Sequence, residues 1–229
     1  MAEVIRIDEK TWRIEAGMVR FFLLCGDERA VLIDTGMNVP DARSIAEGLT
    51  DLPIILLNTH ADPDHISGNA AFDEVYMSPA EEENYREHGG KGTIRPVSDG
   101  DVIELGGRPL RIMDIPGHTP GSIAILDEKN RVLIGGDTIQ DGNIFMFGKF
   151  RNIESYIESM KKLAEWDGMY DEIYGMHGTF PLKPDIVGKL LEGAEQILAG
   201  DAEGEAVDMW GNQVCLYKFP YAGFLCEMK

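Results

Sequence analysis

Four apolar residues, Ile54-Ile55-Leu56-Leu57, run without a polar break and stop at Asn58. A short continuous run of this kind reads as a strand covered on both faces, which calls for layers of structure on either side of a sheet. The residues that follow it read Thr59-His60-Ala61-Asp62-Pro63-Asp64-His65. Two imidazoles and two carboxylates therefore leave the end of one buried strand, and all four can bind a metal ion.

The same arrangement recurs along the chain. Val4 to Ile7, Trp12 to Ala16, Val19 to Cys25 and Ala30 to Ile33 read as strands, and Asp34-Thr35-Gly36 stops the last of them. Helices are expected over Asp41 to Leu49, over His65 to Phe72 with Pro63 in its first turn, and from Ser78-Pro79 to Gly89-Gly90. Further strands follow at Val75 to Met77, Val102 to Leu105, Pro109 to Ile115, Ser122 to Leu126, Val132 to Ile134 and Ile173-Tyr174. Helical periodicity marks Ile153 to Trp166 and Ile186 to Leu198, Asp137 to Arg151 reads as a loop, and the tail from Ala206 to Cys226 returns to β character. Strands and helices occur in both halves, with no low-complexity linker between them. The pattern predicts one α/β domain over residues 1–229, with sheets inside and helices outside.

Composition narrows the function. Lysine and arginine total 21 against 40 aspartates and glutamates, a formal charge of −19. Such a balance repels a phosphate backbone, so no nucleic-acid partner is expected. The apolar runs are too short to span a bilayer and the N-terminus lacks a secretory pattern, so the expectation is no membrane and a cytoplasmic location. Cys25, Cys215 and Cys226 are far apart and odd in number, which argues against a disulfide framework or a thiolate site. A small-molecule substrate is the expected partner, and a homo-oligomer stays open.

Of the five histidines, His60 and His65 lie in the quoted motif, His118 in Pro116-Gly117-His118-Thr119-Pro120-Gly121-Ser122, and His177 in Gly175-Met176-His177-Gly178. Each follows an apolar run and sits in a turn, as do Asp34 and Asp137, the latter in Gly135-Gly136-Asp137-Thr138. Strands that carry polar groups to loops at one sheet edge build a pocket there. His88, among acids ahead of Gly89-Gly90, reads instead as a helix end.

In order and context these motifs resemble the metallo-β-lactamase fold superfamily of metallohydrolases, especially its glyoxalase II-like and lactonase-like members. The resemblance runs from Asp34-Thr35-Gly36 to the helix after His177. It implies a four-layer αββα sandwich, two mixed β-sheets flanked by helices. It also implies two divalent transition metals (zinc, iron or manganese): His60, Asp62 and His118 would hold one, Asp64, His65 and His177 the other, and Asp137 would bridge them. A hydroxide between the metals would attack an ester-like bond in a thioester, lactone or related acyl substrate, with Asp64 and Asp137 as catalytic carboxylates. Asp34 would support a ligand by hydrogen bonding, or serve only to stabilise its turn.

The family motif usually has histidine where Asp62 stands. Asp62 either ligates and tunes the site, points away and leaves one metal weak, or marks a defunct site. As a ligand it would bring the charge of the cluster from about +1 to about 0 and harden the donor set toward iron or manganese. Diiron oxidoreductases of the superfamily resemble this pattern and form the alternative to a hydrolase; a metal-containing binding module without turnover is a third reading. Phe145, Phe147, Lys149, Arg151 and Tyr174 are candidates for the substrate pocket, against the competing reading that they simply pack.

Overall fold

The computed structural model describes residues 2–228. By its internal contacts the chain divides into two compact units, the first reaching to Met113 and including Ile125–Asn130, the second comprising Asp114–Ala124 and the chain from Arg131 onward.

In the first unit, β1 (Glu3–Asp8), β2 (Thr11–Ala16), β3 (Val19–Cys25) and β4 (Ala30–Ile33) form an antiparallel meander. Three crossovers follow. The first, through helix α1 (Ala42–Glu47), adds β5 (Ile54–Leu57); the second, through the single turn α2 (Pro63–Ile66), adds β6 (Glu74–Met77); and the third, through α3 (Glu82–Glu87), adds β7 (Thr93–Pro96). These strands pair in parallel from β4 to β7, so the seven-stranded sheet runs in chain order and is mixed. Every residue of β3 and β4 is buried, as continuous apolar runs require. Phe21, Leu23, Leu32 and Leu56 pack in one cluster with Ala42 and Ala46 of α1 and with Tyr85 of α3. Next come β8 (Val102–Glu104) and β9 (Pro109–Asp114), an antiparallel pair, and β10 (Ile123–Asp127), whose residues from Ile125 onward belong to this unit. The buried Arg108 donates to Asp127 Oδ2 (2.6 and 2.8 Å), to Thr11 Oγ1 (2.9 Å) and to the carbonyls of Lys10 (2.8 Å) and Cys25 (3.1 Å). One guanidinium thus ties four separate segments of this unit together.

The second unit holds β11 (Val132–Gly136), β12 (Asn143–Met146), α4 (Ile153–Ala164), β13 (Glu172–Gly175), α5 (Ile186–Ala199), β14 (Gly204–Met209), β15 (Asn212–Phe219) and β16 (Ala222–Glu227). β11 and β13 pair in parallel, and β12-β16-β15-β14 form a four-stranded sheet. Asn152 caps α4 by accepting from Ser155 N at 2.7 Å. The buried face of α4, Tyr156, Ile157, Met160 and Leu163, has the helical spacing read from the sequence. α5 ends on Gly200 in the left-handed conformation.

The fold class expected from the sequence holds: mixed sheets flanked by helices. Two local expectations do not. The helix expected over His65 to Phe72 breaks after Ile66 and resumes only as a 3₁₀ turn at Asn69–Ala71. A Cβ at Gly68 would lie 2.6 Å from Val39 O, and Gly68 N donates to Thr35 Oγ1 at 3.0 Å, so close backbone packing interrupts the helix there. The stretch read as a loop after Asp137 contains β12, which is ordered by β16 some eighty residues further on. Among the described residues no helix is long and apolar enough to cross a membrane.

Candidate metal centre

The first unit gathers one set of donors. β4 and β5 are parallel and in register from Ala30↔Ile54 to Ile33↔Leu57, so Asp34 and Asn58-Thr59-His60 leave the same sheet edge side by side. Asp34 N donates to Leu57 O at 2.9 Å, and Asp34 takes the left-handed conformation (φ 62°), which turns its side chain back toward Thr59 and His65. The carboxylate is fully buried and accepts four hydrogen bonds. Oδ1 takes Thr59 N (2.8 Å) and Asn58 Nδ2 (3.2 Å); Oδ2 takes Thr59 Oγ1 (2.7 Å) and His65 Nδ1 (2.8 Å).

This arrangement fixes two tautomers. The proton between His65 and an ionised carboxylate lies on Nδ1. A hydroxyl has one hydrogen, and that of Thr59 is given to Asp34, so Thr59 Oγ1 accepts from His60 Nδ1 at 3.0 Å. Both histidines therefore carry their lone pair on Nε2, the state in which imidazole binds a metal. The rings lie 4.1 Å apart. His60 Nε2 is 3.7 Å from Asp62 Oδ2, and His65 Nε2 is 3.6 Å from Asp64 Oδ2. Asp34, His60 and His65 group closely enough to share an ion, yet the hydrogen bonds already on Asp34 make it the group that orients the other two.

The second unit gathers the rest. β11 and β13 are parallel, and Asp137 and His177 lie just past their ends. Asp137 Oδ2 is 3.8 Å from His118 Nε2 and 3.3 Å from His177 Nε2, so one carboxylate oxygen faces two imidazole nitrogens. His118 Nδ1 is 3.0 Å from Phe145 O; a carbonyl only accepts, so Nδ1 carries the proton and Nε2 the lone pair. α4 braces the turn that carries His118. Ser159 Oγ donates to Pro116 O (2.6 Å), Lys162 Nζ to Asp114 O (3.1 Å) and Asn152 N to Gly117 O (2.8 Å). Gly117 (φ 141°) packs so tightly that a Cβ there would lie 2.4 Å from Tyr156 Cα. Behind Asp137, Tyr156 Oη donates to Thr138 O at 3.0 Å. The donors fit divalent metals: in three histidines Nδ1 is engaged elsewhere, and Nε2 of all four faces a carboxylate.

His88 is the C-cap of α3, as its sequence context suggested. The five pocket candidates are placed as follows. Phe145 supplies the carbonyl that holds His118, while its ring stacks on Trp210 (5.4 Å, 6°) and lies 5.7 Å from Phe147. The Lys149 ammonium sits over the Phe150 ring at 4.8 Å, Arg151 is half-buried, and Tyr174 is buried with its ring 4.6 Å from Phe180. Sequence reasoning missed Thr59 as a relay, although its hydroxyl stands inside the motif. It also missed the Phe145 carbonyl, a backbone group that no residue identity announces, and the exposed Trp210.

Parallel strands ending in clustered imidazoles and carboxylates define an α/β protein with a candidate metal centre. The family model described as the metallo-beta-lactamase superfamily matches residues 14–203, and the chain belongs to that superfamily. It is 29% identical over 182 residues to the acyl-coenzyme A thioesterase MBLAC2 of Gallus gallus, a match covering 63% of this chain and 66% of that protein. It is 28% identical over 164 residues to the hydroxyacylglutathione hydrolase of Francisella tularensis subsp. tularensis, covering 69% of this chain and 63% of that one. The chain thus spans just under two thirds of the length of these relatives. Among solved structures, a metallo-beta-lactamase from Pontibacter korlensis superposes with a TM-score of 0.73 at 19% identity, covering 85% of this chain and 99% of the other. The mono-zinc form of the metallo-beta-lactamase FIM-1 from Pseudomonas aeruginosa gives a TM-score of 0.73 at 18% identity, covering 86% and 96%. These likenesses bear on the fold.

Proposed function

We propose that the chain is a dinuclear metal-dependent hydrolase of acyl thioesters. His60, Asp62 and His118 would hold one metal, Asp64, His65 and His177 the other, and Asp137 would serve both. The observation that carries this reading is the set of acceptors on Nδ1: Asp34, Thr59 and Phe145 O accept from Nδ1 of His65, His60 and His118 and leave Nε2 of each as a donor beside a carboxylate. When bound, such ions act as Lewis acids and lower the pKa of water to about 7.

Acyl-coenzyme A and hydroxyacylglutathione, named in the two relatives, share a thioester, which favours that bond over a lactone. In its hydrolysis the oxygen of water bonds to the acyl carbon, the C–S bond breaks, and the thiolate sulfur takes up a proton. Asp64, with its side chain 28% exposed, is within reach of water and can accept the proton that water loses. Asp137, 7% exposed, is the carboxylate held between His118 and His177. Three aspartates in the donor set make it harder than one with histidine at position 62, which places iron and manganese beside zinc as candidate metals.

Elemental analysis of anaerobically purified protein, paired with assays on an acyl-coenzyme A, a hydroxyacylglutathione and a lactone, tests the reading. About two transition metals per chain and thioester turnover abolished by Asp137→Ala are expected. Protein that takes up no transition metal, or turnover unchanged in the variant, overturns it.

A further inference from the structure

Asp62 stands where the family motif usually has histidine, and a carboxylate there raises a physical problem. It is shorter than an imidazole, and it offers two equivalent oxygens that rotate, where imidazole offers one nitrogen. Something must decide which oxygen faces His60. Two residues outside every motif stand behind it. Asn84 Nδ2 donates to Asp62 Oδ1 at 3.2 Å and to Glu81 Oε2 at 3.1 Å. Both neighbours are acceptors, which assigns the amide nitrogen to that side. Glu81 Oε2 in turn accepts from Ala61 N, at 2.8 Å, the residue between His60 and Asp62. Asn84, Glu81 and Ala61 are fully buried, and Asp62 is 8% exposed. The hydrogen bonds therefore close a loop from the backbone of the motif through Glu81 and Asn84 to the Asp62 side chain.

We propose that Asn84, anchored by Glu81, is a positioning residue that makes Asp62 a single-oxygen metal donor, with Oδ1 tied back and Oδ2 presented beside His60 Nε2. The clamp lets a carboxylate work at a histidine position. It also places two buried carboxylates on one amide, an electrostatic setting that a neighbouring cation relieves. This inference rests on the metal reading above.

The test is a double-mutant cycle read in metal affinity. Zinc and cobalt are titrated into apoprotein against a chromophoric chelator, for the parent chain, Asn84→Ala, Asp62→His and the double variant. Asn84→Ala is expected to weaken one of two metals by about tenfold or more when Asp62 is present, as loss of a ligand's hydrogen-bonding support does. It should also change the cobalt ligand-field spectrum as the freed carboxylate rotates. In the Asp62→His background, where the ligand has one donor nitrogen and Oδ1 is absent, the same substitution should change affinity by less than about twofold. Equal losses in both backgrounds would mean that Asn84 only supports the fold, and no loss with Asp62 present would remove it from the site; either overturns the proposal while leaving the metal centre intact. A parent chain that binds neither metal overturns the metal reading itself, and this inference with it. If Asn84→Ala does not fold, Asn84→Ser replaces it in the same cycle, since a single hydroxyl hydrogen cannot serve both carboxylates.

Discussion

Asp34 Oδ2 and His65 Nδ1 are 2.8 Å apart and wholly buried. The same oxygen takes the Thr59 hydroxyl, which orients His60, so one carboxylate sets the tautomers of two histidines. Asp34→Asn puts an amide donor against one of the two donor pairs, Thr59 N and Asn58 Nδ2 or Thr59 Oγ1 and His65 Nδ1. The expected result is a metal affinity lower by about 10–100-fold. Chelator competition with zinc measures it, and an affinity within about twofold of the parent would count against the relay.

Gly117 and Tyr156 bind the His118 turn to α4 through direct backbone packing. A methyl at Gly117 would lie 2.4 Å from Tyr156 Cα and 2.5 Å from Tyr156 N, at a φ of 141° that side chains disfavour. Neither neighbour is the mobile end of a side chain. Gly117→Ala should therefore cost about 2 kcal/mol or more and displace His118, lowering metal retention as well as melting temperature. Melting and zinc content of the purified variant would both have to match the parent for this account to fail.

The turns that carry the candidate donors were legible because their residues are chemically conspicuous and local: His60, His118 and His177 each follow an apolar run in a Gly- or Pro-rich turn. The sequence could also indicate that Asp34 belongs to the same sheet edge, though not whether it holds a histidine or only its turn; that needed the parallel register of β4 and β5, a non-local pairing. Asn84 and Glu81 were invisible for the same reason. On the amphipathic pattern they are ordinary polar residues of a short helical segment, and their burial follows from tertiary packing. β12 was hidden because its partner β16 lies far along the chain, and strand pairing across such a separation leaves no local signature.

Arg108 and Asp127 form a buried ion pair, 3% and 1% exposed in their side chains. Its five donated bonds span four segments, so removing the cation leaves the Asp127 charge buried with neutral hydrogen bonds from Asn130, at 3.3 Å from N and 2.8 Å from Nδ2. Arg108→Met should destabilise by about 3–5 kcal/mol. Adding Asp127→Leu should recover part of that loss, because an apolar pair of similar volume avoids the stranded charge. Urea unfolding of the two variants decides the point: a double variant no more stable than Arg108→Met would show that the carbonyl and Thr11 contacts, rather than the stranded charge, carry the cost.

Tyr156 is expected to set an alkaline limit on stability. Burial pushes its phenol well above the usual value, and burial followed by Asp167 pushes Tyr170 up to about 12. A tyrosine in the unfolded chain loses its proton near pH ~10. Above that pH the native state binds more protons than the unfolded state, so stability falls as pH rises. The contribution is complete below pH ~10 and is lost as pH climbs toward the folded values. Tyr156→Phe gives up the hydrogen bond to Thr138 O, worth about 1 kcal/mol, and should melt lower at pH 8. Between about pH 9.5 and 11.5 its melting temperature should decline less steeply than the parent's, because the protonated phenol is gone. Parallel declines in the two proteins would mean that other groups set the alkaline limit.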